Sequence, residues 1–84
     1  MTGHLEMSND GHGYIGVLRL DDGSCINVSL PENDSNRLLG QSPQRASLAG
    51  RVLPFPYGKD ALTFEVNGRR VGYGKCAPYY LFVE

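Results

Sequence analysis

No stretch of this 84-residue chain approaches the ~20 consecutive apolar residues that a membrane-spanning helix needs. No charged-then-apolar leader suggests a signal peptide, so the expected compartment is the cytoplasm. Cysteine is scarce: Cys25 and Cys76 stand far apart and match no metal-binding spacing. In a cytoplasmic chain free, buried thiols are favoured over a disulfide between them. Signatures of catalysis are missing as well. There is no G-x-S-x-G, no Walker A loop, and no zinc or kinase motif. These absences leave a non-catalytic module without a metal or cofactor as the main reading, with an enzyme whose site forms only in the fold ranked last.

Two weak patterns are set aside. Gly11-His12-Gly13-Tyr14-Ile15-Gly16 matches G-x-G-x-x-G, but a dinucleotide site needs a strand before it and a helix after it. His4, Glu6, Asp10 and His12 are scattered over a Gly-rich start and do not have the spacing of metal ligands. Residues 1–13 show no period and are expected to be a flexible lead-in to a single β-rich domain over 14–84.

What the chain has is punctuation: eleven glycines and five prolines, which suit short strands separated by turns. The clearest element is Ala61 to Tyr73, two strands joined by Asn67-Gly68. A two-residue turn pairs Val66 with Arg69, Glu65 with Arg70, Phe64 with Val71, Thr63 with Gly72 and Leu62 with Tyr73. Alternation then places Leu62, Phe64, Val66, Val71 and Tyr73 on a core face, and Glu65 and Arg70 on the other as an ion pair.

Tyr14–Leu20 and Ser24–Leu30 read as strands around Asp21-Asp22-Gly23. A two-residue loop would oppose Val17 to Val28, and a three-residue loop would oppose Leu18 to Ile26. Residues 31–45 are polar, with a short helix over Glu32 to Leu39 stopped by Gly40, and Ser42-Pro43 as a second possible helix start. Residues 47–53 are assigned to a strand with Gly50 as a bulge. Pro54 to Gly58 forms a stiff aromatic loop. Gly74 to Pro78 is a turn, and Tyr79–Val83 a terminal strand too aromatic for a solvated edge. The expected class is all-β, with one short helix allowed: a compact five- or six-stranded barrel, OB-like or SH3-like.

Charge is split along the chain. Residues 1–34 carry −5 and residues 35–84 carry +4, and seven of the eight aromatics lie in the second part. The plain consequence is an acidic part packed beside a basic one. The sharper one is a basic, aromatic binding surface made of Arg51, Phe55, Tyr57, Lys59, Arg69, Arg70, Lys75 and Tyr80. The leading expectation is a binding or assembly module for a protein partner or for itself, as a homodimer, because two strongly apolar strands have little interior to hide in. The second is a single-stranded nucleic-acid binder using those cations and rings.

Pro56-Tyr57-Gly58-Lys59-Asp60-Ala61-Leu62, then Val66-Asn67-Gly68, then Val71-Gly72-Tyr73, locally resembles the HIRAN domain, a small β-barrel family that binds DNA ends. The likeness covers about 18 residues. Phe55, Gly58 and Asp60 depart from the family's pattern, and a Pro-interrupted strand stands where its downstream helix is expected, so membership is not inferred.

Overall fold

The computed structural model describes residues 1–9, 13–55, 63–66, 68–72, 76 and 78–84. Its elements in chain order are β1 (Thr2–Asn9), β2 (Tyr14–Leu20), β3 (Cys25–Ser29), α1 (Glu32–Leu38), β4 (Gln44–Ser47), β5 (Arg51–Pro54), β6 (Thr63–Val66), β7 (Arg69–Gly72) and β8 (Tyr79–Phe82). The protein is mostly β, with one short helix.

The strands follow the order β4-β1-β2-β3-β8-β5, and β7 joins from the side by pairing with β2 and β6. Neighbours are antiparallel except β3 with β8 and β7 with β2, which run parallel. Among the described residues no pairing joins the end strands β4 and β5, so the sheet is open, yet only residues 48–50 separate them in the chain.

The first correction concerns the lead-in. Residues 2–9 are a central strand of the sheet, paired along their length with β2 and over half of it with β4. Gly3, Leu5 and Met7 are buried, and Thr2, His4, Glu6 and Ser8 are exposed. The alternation is there, but a glycine fills one inward position, which leaves two large apolar residues to signal it.

The turn between β2 and β3 takes the three-residue form. Leu20 and Ser24 close it by a backbone hydrogen bond of 2.8 Å, and Gly23 adopts φ +89°. Leu18 then faces Ile26 and Gly16 faces Val28. The short helix lies within the expected bounds, and Leu38 packs against the core. Ser42-Pro43 starts no helix, because residues 41–43 lead straight into β4. The strand expected over 47–53 divides into β4 and β5 around 48–50.

The hairpin β6–β7 has the expected register from Thr63–Gly72 to Val66–Arg69. Gly68 takes φ +79°, and Glu65 lies 3.5 Å from Arg70. Val71 is buried as expected. Leu62, Asn67 and Tyr73, and the side chains of Phe64 and Val66, lie outside the described residues, as do most of the aromatic loop and of the Gly74–Pro78 turn.

Apolar side chains gather in two clusters on opposite sides of β8. The inner one is aliphatic: Leu5, Met7, Leu18, Ile26, Val28, Leu30 and Leu81. The outer one is Phe55, Val71, Tyr80 and Phe82, with Leu53 against it. Cys25 and Cys76 are not free thiols; they form a disulfide with Cα atoms 5.4 Å apart. Sequence distance gave no hint of it. The chain entering β8 runs back alongside the start of β3, which brings the two Cβ atoms within bonding reach.

Candidate functional site

Residues opposite each other in register share a face. On the outer face, Val17 lies opposite Asn27, Asn27 opposite Tyr80, and Ser29 opposite Phe82. Over β1 that face is polar and open to solvent. Over β3 and β8 it is closed: Asn27 is 0% exposed and Ser29 is 4% exposed, although both point away from the aliphatic core.

The hairpin β6–β7 closes it. Tyr14 pairs with Val71, and a Cβ on Gly72 would sit 2.5 Å from Ile15 Cγ1, so β7 lies directly against β2. Arg69 turns inward beside the turn. Its Nη1 donates to both the carbonyl and the hydroxyl of Ser29 at 3.2 Å, and its Cζ lies 4.2 Å from the Phe82 ring centre. Burial lowers the Arg69 pKa, with Glu84 pulling the other way. Asn27 Nδ2 donates to the Tyr79 carbonyl at 3.0 Å. Phe55 meets Tyr80 edge to face at 6.0 Å, and burial raises the Tyr80 phenol pKa.

Four of the expected site residues therefore converge. Arg51 lies 5.6 Å from the Phe82 ring and 3.4 Å from Glu84, so Arg51, Phe55, Arg69 and Tyr80 all belong to the outer cluster or its rim. Phe55 and Tyr80 are only 3% and 4% exposed, which removes them as open stacking platforms in this state. Arg70 lies on the other face of β7, paired with Glu65. Tyr57, Lys59 and Lys75 lie outside the described residues. The Arg69 guanidinium does not reach into open solvent: a ring and two acceptors hold it inside.

Phe82, Asn27 and Ser29 went unnoticed in the sequence. Phe82 shares parity with Tyr80 in the terminal strand, a usable signal. The crosslink is the less favoured of the two states the sequence allowed for the cysteines.

A cleft of about 210 Å³ opens where Gly13 and Tyr14, the end of β3, α1 and the hairpin tip meet. Arg69, Arg70 and Glu32 line it, so its walls carry both signs of charge. Elsewhere two arginines are paired with carboxylates. Arg45 makes a two-point contact with Asp21 at 2.9 and 3.0 Å, which holds that carboxyl below its ordinary pKa, and Arg37 pairs with Asp34. Arg45–Asp21 joins the basic part of the chain to the acidic part.

No family model, curated protein or solved structure matches this chain. The likeness of residues 56–73 to the HIRAN domain stays local, and about half of those residues lie outside the described ones.

Proposed function

We propose that the protein is a small OB-like barrel acting as a non-catalytic binding or assembly module for a protein partner, or for a second copy of itself. The barrel reading is supported by topology. A β1–β2–β3 meander is followed by a helix, a return to β1, and a last strand parallel to β3. Counted as one bent strand, residues 44–54 lie between β1 and β8, which is OB order. The helix between β3 and β4 favours this over an SH3-like arrangement.

The protein-partner reading rests on an apolar patch at the β5 end of the sheet. Val52 and Tyr79 are each 49% exposed, and the exposed Pro54 and Pro78 lie beside Tyr79. Apolar surface grouped on an end strand is the usual raw material of an interface. Apart from Tyr79, the apolar strands themselves supply no dimer surface. Leu18, Tyr80, Leu81 and Phe82 are covered within one chain, because β8 serves both clusters.

Sedimentation from micromolar to high micromolar concentration, together with partner capture, tests this reading. The wild type should associate, and Val52→Asp/Tyr79→Asp should not. A wild type that stays monomeric and captures nothing, or a variant that associates equally, refutes it. The single-stranded nucleic-acid reading keeps one observation in its favour, the gathering of Arg51 and Arg69 beside Phe82. Binding of that kind would weaken steeply with salt.

Among the described residues no helix is long and apolar enough to cross a membrane. A cytoplasmic location fits a disulfide only if cells reduce and remake it, since the cytosol keeps thiols reduced.

A further inference from the structure

We propose that the Cys25–Cys76 disulfide is a redox latch that fastens the β6–β7 hairpin over the outer face of β3 and β8. The contacts divide into two kinds. Among the described residues the inner cluster is drawn from β1, β2, β3, Leu30 just past it, and β8, with no hairpin side chain. Among the described residues the hairpin meets the rest of the chain at a bridge to β2 with Gly72 beside Ile15, at Arg70 beside Gly13, through Val71 in the outer cluster, and through Arg69 on Ser29 and Phe82. The disulfide adds one covalent tie at the edge of that cover. Cys25 opens β3, and Cys76 lies between the hairpin and β8.

Both cysteine residues are only partly buried, so a small reductant has access to the bond. Reduction by a dithiol breaks the S–S bond and leaves two thiols. The dithiol gives up two electrons and two protons and becomes a disulfide itself. The cover then relies on noncovalent contacts alone, while the inner cluster loses nothing. Opening exposes Asn27, Ser29 and Phe82, a surface carrying an amide, a hydroxyl and a ring.

Hydrogen exchange read by mass spectrometry on the whole protein tests the latch, with and without dithiothreitol. Reduction should speed exchange in residues 69–72 on the order of tenfold and leave residues 2–9 unchanged. Cys25→Ser/Cys76→Ser should show the fast pattern and no response to dithiothreitol. Three outcomes overturn the proposal: exchange that is unchanged everywhere, a rise of the same size in both segments, which would make the bond a staple of the whole domain, or two titratable thiols in protein oxidised in air.

Discussion

The two sides of β8 differ in nearly every respect. On the inner side, the buried cluster among the described residues is seven aliphatic side chains, all but Leu81 from the first 30 residues. On the outer side, rings dominate, and two arginines lie within 5.6 Å of Phe82. The inner side is a core of ordinary chemistry, where stability grows with buried area. The outer side binds its cover with contacts that have polar terms, such as a guanidinium on a ring and hydrogen bonds to Ser29. Such contacts can be exchanged for water or for a ligand at lower cost than buried methyl groups. One strand thus separates a permanent interior from a layer that can be opened.

Leu18→Ala should produce the largest effect. Leu18 is 0% exposed at the centre of the inner cluster. Truncation removes apolar contacts and leaves a cavity, at a cost of roughly 2–5 kcal/mol. Thermal melts should fall accordingly, and exchange should quicken in residues 2–9 and 69–72 together. A change confined to the hairpin would contradict the division drawn above.

Gly68→Val should have a smaller and local effect. A β-branched residue at φ +79° carries strain of about 1–3 kcal/mol, and the turn lies in the cover rather than the inner core. Exchange should rise in residues 69–72 alone. Glu65→Ala on the same hairpin should leave the melt unchanged, since its partner Arg70 is exposed and 3.5 Å away.

The smallest effects are those of pH, and the two ends of the scale act on different regions. Burial raises the Tyr80 pKa above its ordinary value of 10.0. The unfolded chain therefore loses that proton first. The stability contributed by the neutral phenol is complete below pH 10 and is lost as pH rises through the folded value. Asp21 and Asp22 have the opposite sign. Arg45 holds Asp21 down and Ser24 holds Asp22 down, so their contribution is present above pH 3.8 and lost as pH falls through their lower folded values. Exchange at pH 11 should loosen the outer layer first, and melts at pH 3 should report the β2–β3 turn. Identical exchange patterns at both extremes would argue against this separation.

The parts of the fold that were legible are those fixed by local chemistry. Asn67-Gly68 determines the hairpin register by itself, and Tyr14–Leu20 matches its strand residue for residue. The β2–β3 register was open because β2 is apolar on both faces: Leu18 enters the inner cluster while Ile15 and Val17 are half-buried on the outer face. β1 was hidden because its pattern depends on partners as much as on its own residues. The site was legible in kind but not in exposure. The sequence singled out Arg51, Phe55, Arg69 and Tyr80, yet the burial of Phe55 and Tyr80 and the gathering of both arginines at Phe82 follow from nonlocal packing. The crosslink is nonlocal in the same sense.

The parallel pairing of β3 with β8 also orders events in time. Asn27 pairs with Tyr80 across a separation that no tight turn can bridge, whereas only a few residues separate β1 from β2 and β2 from β3 in the chain. Loop closure makes the nearby pairings quicker to form, so the meander should be the nucleus and β8 the late arrival. Leu81 would then leave the folding rate almost untouched when truncated and speed unfolding, while Ile26 would slow folding. The same φ-value at both positions would remove this order. The thiols meet only after β8 has docked, so oxidation would record that folding is complete.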